Sequence, residues 1–197
     1  MLVVLFLAVL ANSQIILGNN DQYIQTITFS GINCENVTQA KLHRLSNGCV
    51  KDKSGFYSRA YCTEKEGIIE SYCDESCQFC SSVQTSPLYG CINLNAMYSQ
   101  MQVCGQVETK FPPMLWETQH EESYPSCKKS PVKQALGTKI NTCEILLTGA
   151  QFVSCNGTHW TRKEYPVSSG CSKDPFVVKT GSLNVCEGER EMICEEK

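Results

Sequence analysis

The sequence predicts an all-β protein, a disulfide-rich antiparallel meander or sandwich built from short repeated hairpin units. Of its 197 residues, 14 are cysteines, and all of these lie at or beyond Cys34. Short segments rich in β-branched and aromatic residues run between them, bounded by Gly, Pro, Asn and Ser, which is typical of strands joined by turns. Disulfides allow such a fold to persist with few large apolar residues, because they restrict the unfolded chain.

The first segment of the chain predicts secretion. Residues 1–10 form an uninterrupted apolar run that is too short to span a bilayer. Small residues follow at Ala11 and Ser13, so we expect a signal peptide over residues 1–13. Secretion places the remaining chain in an oxidising compartment, where the cysteines can all form disulfides. The final residues include no apolar tail, and we therefore expect a free extracellular product with no membrane anchor.

Strands are predicted along the whole chain. Residues 23–29 alternate in character, with Tyr23, Ile27 and Phe29 on one face, and form the first strand. Further strands are predicted at residues 56–61, 67–72, 98–103, 144–147, 151–154 and 175–178. Two weak helical patterns interrupt them, at residues 38–45 and 95–102.

Twelve of the cysteines recur in a fixed order, as classes that we name C, A and B. Class C is Cys34, Cys77, Cys127 and Cys171; class A is Cys49, Cys91, Cys143 and Cys186; class B is Cys62, Cys104, Cys155 and Cys194. The C-to-A spacings are 15, 14, 16 and 15 residues, and the A-to-B spacings are 13, 13, 12 and 8. We interpret this as roughly three and a half copies of one unit. A single domain over residues 14–197 would then contain units at about 14–48, 49–90, 91–142, 143–185 and 186–197.

This register predicts that each C cysteine bonds to the A cysteine that follows it. The predicted pairs are Cys34–Cys49, Cys77–Cys91, Cys127–Cys143 and Cys171–Cys186. The pairing of the B cysteines stays open, because the spacing does not choose among the arrangements. Cys73 and Cys80 flank Cys77, and we interpret them as an added staple in the second unit.

Residues 105–125 interrupt the regular spacing of the cysteines. The connection from Cys104 to Cys127 spans 23 residues, against 15 and 16 for its counterparts. Binding residues are often placed on long loops, so Phe111, Met114 and Trp116 are candidate contacts with a partner. The alternative is that these side chains fold back over an open end of the sheet, as aromatic residues commonly do.

Other motifs favour binding over catalysis. The 17 basic and 20 acidic residues form no basic block, which argues against nucleic acid as a partner. Neither HExxH nor Gly-x-Ser-x-Gly occurs, so no zinc hydrolase or serine esterase is indicated. Cys77 and Cys80 have zinc-ligand spacing, but thiols in an oxidising compartment pair with each other. His120, beside Glu121 and Glu122, is interpreted as part of an exposed charged loop. We expect no metal, no cofactor and no catalytic residue.

Residues 57–62 (YSRAYC) and 71–77 (SYCDESC) form a strand ending in cysteine, then a strand leading into a polar, cysteine-bearing turn. This pattern resembles cysteine-rich repeats in secreted proteins of amoebae, and the likeness covers most of the mature chain. The last unit departs from it by being cut short. The resemblance implies no single activity, because that family has none that could be carried over.

The predicted function is that of a secreted, disulfide-stabilised glycoprotein that binds an extracellular protein or cell-surface partner in a structural, adhesion or signalling role. Sequons at Asn36 and Asn156 predict the glycosylation. A second hypothesis is a secreted toxin or inhibitor that contacts its target through residues 105–125. A third is a small secreted hydrolase, which would need a pair of carboxylates that the sequence does not single out.

Overall fold

The computed structural model describes residues 21–46, 48–51, 55–107, 111–121, 127–167 and 169–195, and shows an all-β protein as predicted. The predicted signal peptide lies outside the described residues. The first eight strands are β1 (Tyr23–Ser30), β2 (Asn36–Arg44), β3 (Val50–Lys51), β4 (Tyr57–Cys62), β5 (Glu66–Cys73), β6 (Cys80–Pro87), β7 (Ile92–Asn93) and β8 (Tyr98–Gly105). We call these eight strands the first lobe.

The second lobe contains the remaining strands and one short helix. Its strands are β9 (Met114–His120), β10 (Val132–Lys139), β11 (Cys143–Leu146), β12 (Gly149–Cys155), β13 (His159–Tyr165), β14 (Val177–Ser182), β15 (Cys186–Glu187) and β16 (Arg190–Glu195). A 3-10 helix at Cys127–Lys129 separates β9 from β10. In the part of the chain described, no helix has the length and apolar character to cross a membrane.

The strands form three antiparallel sheets. A central sheet of eight strands has the order β15-β16-β9-β10-β2-β1-β8-β7 and spans both lobes. Each lobe adds a small sheet of four strands, β3-β4-β5-β6 in the first lobe and β11-β12-β13-β14 in the second. The lobes join where β2 pairs with β10, with His43 opposite Gln134 and Gln39 opposite Thr138.

The same strand order recurs at two levels. Adding eight to each label converts the half-sheet β7-β8-β1-β2 into β15-β16-β9-β10, so the lobes are equivalent in topology. The small sheet β3-β4-β5-β6 repeats the half-sheet β7-β8-β1-β2 in the same order. Strands β3 and β4 take the places of β7 and β8, and strands β5 and β6 take the places of β1 and β2. The chain therefore contains four consecutive sets of four strands, β1–β4, β5–β8, β9–β12 and β13–β16.

The seven disulfides link these sets reciprocally. They are Cys34–Cys91, Cys49–Cys77, Cys62–Cys104, Cys73–Cys80, Cys127–Cys186, Cys143–Cys171 and Cys155–Cys194. Within each lobe, the C cysteine of one set bonds to the A cysteine of the other, and the two B cysteines bond to each other. The B–B bonds join each small sheet to the central sheet.

The four predicted pairs Cys34–Cys49, Cys77–Cys91, Cys127–Cys143 and Cys171–Cys186 are therefore wrong. In every set a whole strand, β2, β6, β10 or β14, separates the C cysteine from the next A cysteine. An extended strand of six to nine residues is roughly 20–30 Å long. Bonded cysteines need Cα atoms within about 7 Å, so the two ends of one strand cannot be joined.

One face of the central sheet forms the main core. Tyr23, Ile27 and Phe29 of β1 pack there, as the alternation of residues 23–29 predicts. Phe111, Met114 and Trp116 are buried in the same cluster, and the rings of Phe111 and Trp116 meet edge to face with centroids 5.4 Å apart. The prediction that these three residues contact a partner is wrong, because β9 takes in the second lobe the inner place that β1 takes in the first.

A candidate binding cleft between the lobes

A cleft of about 710 Å³ lies beside the junction of the two lobes. The first lobe contributes the end of β2, the two residues of β3 and part of β4. The second lobe contributes the end of β9, the start of β10 and the β15–β16 turn. The pairing of β2 with β10 brings these distant segments together. The volume lies in the range of pockets that hold small ligands.

Arg44 lines this cleft, and two ion pairs hold its side chain in place. Its guanidinium lies 2.9 Å from the carboxylate of Asp21 and 2.7 Å from that of Glu121, which follows β9 in the second lobe. Burial by itself lowers the pKa of Arg44, but the hydrogen bond and charge of Asp21, with the charge of Glu121, outweigh it and raise the pKa. Arg44 therefore fastens the two lobes, and its donors are directed at protein carboxylates.

Lys51 and Lys133 add positive charge to the cleft, whose lining also includes Arg44 and the carboxylates of Glu121 and Glu189. Lys51 of β3 and Lys133 of β10 line it from opposite lobes. Among the residues that the structure describes, neither lysine forms an ion pair, and Lys51 lies 5.5 Å from the centre of the Tyr57 ring. Both ammonium groups therefore retain donors for a ligand.

His43 adds an uncharged polar group to the same wall. Desolvation by burial, followed by the charges of Lys41 and Lys133, lowers the pKa of His43 to about 4. Its imidazole is therefore neutral at physiological pH and offers one donor and one acceptor. With the hydroxyl of Ser58 and the two lysines, the cleft presents positive charge beside neutral hydrogen-bonding groups.

His120 lies at the base of the cleft and is buried, so its interpretation as part of an exposed charged loop is wrong. Its Nδ1 lies 3.1 Å from the carbonyl oxygen of Ser130, and its Nε2 lies 3.1 Å from the hydroxyl of Thr118 and 3.5 Å from the carboxylate of Glu191. Thr118 in turn donates to the carbonyl of Glu191 at 3.1 Å. Both ring nitrogens are thus engaged, and Thr118 is too buried to meet a substrate.

An equivalent cleft between the lobes, beside the other end of the β2–β10 pairing, is largely filled. It has about 220 Å³ and is lined by the ends of β1 and β10, the start of β8 and strand β11. Tyr98, the first residue of β8, donates its hydroxyl to the carbonyl of Ile145 and closes the gap. Glu144 is held in the same place by Gln151 at 2.5 Å and Gln39 at 3.4 Å. Burial and the charge of Glu144 raise the pKa of Tyr98.

The counterpart of Tyr98 in the second lobe is Arg190, the first residue of β16. Arg190 forms an ion pair with Glu117 at 3.2 Å and does not line the open cleft. The two lobes thus share a topology but differ at the residues that decide whether the cleft is open.

The sequence singles out His120 and Glu121, which line the cleft, but does not identify its two lysines as site residues. Lys51 and Lys133 are 82 positions apart, and neither belongs to a motif or charge cluster in the sequence. The residues that were proposed as sites lie elsewhere: Phe111, Met114 and Trp116 are in the core, and the cysteines are all bonded. Asn36 and Asn156 are exposed, outside the cleft.

Asp74 caps the turn between β5 and β6. Its carboxylate accepts hydrogen bonds from the backbone of Gln78 at 2.8 Å and of Phe79 at 3.1 Å, and from the Ser76 hydroxyl at 2.8 Å. The bond from Phe79, then that from Ser76, lowers the pKa of Asp74. Across the described ranges, no group of three or more His, Cys, Asp or Glu side chains is arranged to hold a metal ion.

No protein-family model matches this chain, and no curated protein and no solved structure matches it significantly. Function is therefore inferred from the chain's own residues and their geometry.

Proposed function

We propose that this protein is a secreted binding protein whose open cleft holds an anionic ligand, such as the acidic sugar of an extracellular glycan. The observation that carries this proposal is the difference between the two equivalent clefts. One is filled by Tyr98 and Glu144, whereas the other remains open and is lined by Lys51 and Lys133. An open pocket with lysines that form no ion pair within the described structure favours an anion from outside the molecule.

The neutral groups of the cleft narrow the class of ligand. His43 is uncharged because of its lowered pKa, and Ser58 offers a hydroxyl. Such groups suit the hydroxyls of a sugar, while the two ammonium groups suit a carboxylate or sulfate. An acidic saccharide combines both features, and it is abundant in the extracellular setting that a disulfide-rich protein occupies.

Secretion and glycosylation form part of the same proposal. Seven disulfides with no free cysteine are typical of extracellular proteins. The exposure of Asn36 and Asn156, away from the open cleft, supports glycans at both sequons that leave the ligand unobstructed.

A binding role is proposed in preference to hydrolysis. The cluster most capable of acid–base chemistry, His120 with Glu191 and Thr118, is buried, and both nitrogens of its ring have protein partners. A general base needs to reach the proton that it removes from a substrate. The toxin hypothesis places its contact surface on residues 105–125, and the middle of that segment, Met114–His120, is an inner strand of the central sheet.

We further infer that the four sets of strands are copies of one unit, paired within each lobe by reciprocal disulfides. The recurring strand order and the recurring places of the C, A and B cysteines support this inference. Divergence between copies then explains why one cleft is open and its equivalent is filled.

The proposal is tested by measuring binding of the full protein to immobilised sialylated, uronate-containing, sulfated and neutral glycans. We expect binding to the acidic glycans, and a loss of about 10–100-fold in affinity for Lys51→Ala and Lys133→Ala, since each removes a charge-assisted contact. Lys173→Ala, an exposed lysine of the second lobe outside the cleft, is the matched control. Equal binding of neutral glycans, or no effect of either cleft variant, contradicts the proposal.

A further inference from the structure

Strand β6 is a free sheet edge of unusual length and composition. It ends the first small sheet, pairs with β5 on one side, and has no strand on its other side within the described structure. In an antiparallel sheet, every second residue of such an edge directs its N–H and C=O groups away from the sheet. The eight residues CSSVQTSP include no charge, and the Val83 side chain is 56% exposed.

Edge strands of this kind are normally protected. Native proteins keep them short, place lysine or an inward charge on them, or cover them, because an open edge accepts another strand. The other outer strands follow this rule: β3, β7 and β15 have two residues each, and β11 has four. Strand β6 carries none of these protections before Pro87 at its end.

The molecule already uses the equivalent edge for pairing. In the half-sheet β7-β8-β1-β2, the last strand is β2, and it pairs antiparallel with its counterpart β10 to join the lobes. In the small sheet β3-β4-β5-β6, the same last place belongs to β6. Strand β6 is therefore equivalent to β2, the strand that joins the lobes, but its outer edge is unpaired in the described structure.

The corresponding edge of the second lobe differs. Strand β14 has six residues and carries Lys179, whose ammonium lies 3.1 Å from the carboxylate of Glu164. A lysine on an edge strand hinders pairing with another strand. The contrast singles out β6.

The start of β6 is also held in place. Cys73 of β5 bonds to Cys80 of β6, a disulfide that has no counterpart in the second lobe. The turn between the two strands is capped by Asp74, and Phe79 at its end is 77% exposed. An edge fixed in this way loses little conformational entropy when a strand binds to it.

We propose that two copies of this protein associate through antiparallel pairing of their β6 strands. The two small sheets then form one continuous sheet of eight strands, which repeats between molecules the β2–β10 arrangement within the molecule. In a two-fold antiparallel pair, residue i of one strand lies opposite residue j of the other, and j lies opposite i. Because β6 contains only uncharged side chains, no register of this pairing opposes like charges. This dimer does not depend on the ligand of the open cleft.

Analytical ultracentrifugation of the full, oxidised protein tests the proposal. The wild type is expected to dimerise with concentration, and Val83→Lys combined with Thr85→Lys is expected to raise the dimer dissociation constant at least about tenfold through opposed like charges. The matched control is Val178→Lys with Thr180→Lys on β14, where the valine is 55% exposed, and it leaves dimerisation unchanged. Intact mass under non-reducing conditions checks that each variant keeps its disulfides.

Hydrogen exchange gives a second test that needs no variant. Amides within Ser82–Ser86 exchange more slowly as the wild-type concentration rises, while those of β14 do not change. A wild type that stays monomeric at about 100 μM, or a β6 variant that dimerises like the wild type, overturns the proposal. Equal loss of association in the β6 and β14 variants also overturns it, because that result indicates open-ended β6–β14 pairing.

Discussion

At the scale of single residues, Gly137 and Trp116 show why the central sheet accepts only certain side chains. Gly137 lies opposite Trp116 where β10 pairs with β9. A Cβ atom at position 137 would lie 2.7 Å from the Trp116 ring and 2.8 Å from the Met114 sulfur. The indole therefore packs directly over the backbone of its neighbouring strand, and the glycine provides the space.

We predict that Gly137→Ala lowers the free energy of unfolding by about 1–3 kcal/mol, because the buried Trp116 and Met114 must shift to admit the methyl group. Urea unfolding followed by tryptophan fluorescence measures this change. Gly90→Ala is the matched control, since no atom lies within 4 Å of its added Cβ. Equal unfolding midpoints for the two variants would show that Trp116 does not pack as described.

His43 predicts a pH dependence of stability. Its folded-state pKa is about 4, against an unfolded value of roughly 6.5, so between these values the unfolded chain binds more protons. The free energy of unfolding therefore falls as the pH is lowered through this window, by up to about 3 kcal/mol from this residue. His43→Gln removes the contribution, whereas His159→Gln at an exposed site keeps it. Identical pH profiles for wild type and His43→Gln would refute the burial of a neutral imidazole.

Phe111, Met114 and Trp116 illustrate what residue patterns leave undecided. A cluster of large apolar side chains after a Pro-Pro pair is compatible with an exposed binding loop and with the entry to a buried strand. The burial of Trp116 depends on β10 and β16, which lie on either side of β9 and come later in the chain. The local sequence contains no trace of that pairing.

At the scale of elements, strands with strong alternation were predicted well. The segments predicted at residues 23–29, 67–72 and 98–103 lie within β1, β5 and β8. The helices predicted at 38–45 and 95–102 are wrong, because β2 and β8 contain most of these residues. The first segment shows the reason. Its Gln-Ala-Lys-Leu composition favours a helix in isolation, but β1 and β10 pair with it on both sides, and these tertiary hydrogen bonds override local propensity.

The disulfides differ in their expected contribution to stability. Cys73–Cys80 closes a loop with a sequence separation of 7, and Cys62–Cys104 one of 42. In the loop-entropy model these correspond to about 2.5 and about 4 kcal/mol. We expect the Cys73→Ser/Cys80→Ser variant to remain folded with a modest drop in melting temperature, and the Cys62→Ser/Cys104→Ser variant to lose more. Thermal unfolding by circular dichroism compares them, and the reverse order contradicts this assignment.

At the scale of the whole molecule, the sequence predicts which cysteines occupy equivalent places, but it does not predict which cysteines bond to each other. Constant spacing identified equivalent places in successive sets of strands. Spacing cannot reveal that a set pairs with the next set and not with itself, since this depends on the strand that lies between each C and A cysteine. The open cleft was unpredictable for the same reason, because Lys51 and Lys133 meet only through the β2–β10 pairing.

Disulfide mapping by mass spectrometry of the non-reduced protein tests the central claim, that two topologically equivalent lobes are each closed by reciprocal bonds. The expected C–A and B–B pairs are Cys34–Cys91, Cys49–Cys77, Cys62–Cys104, Cys127–Cys186, Cys143–Cys171 and Cys155–Cys194, with Cys73–Cys80 as the staple. Recovery of Cys34 bonded to Cys49, or of any bond between the lobes, would contradict it.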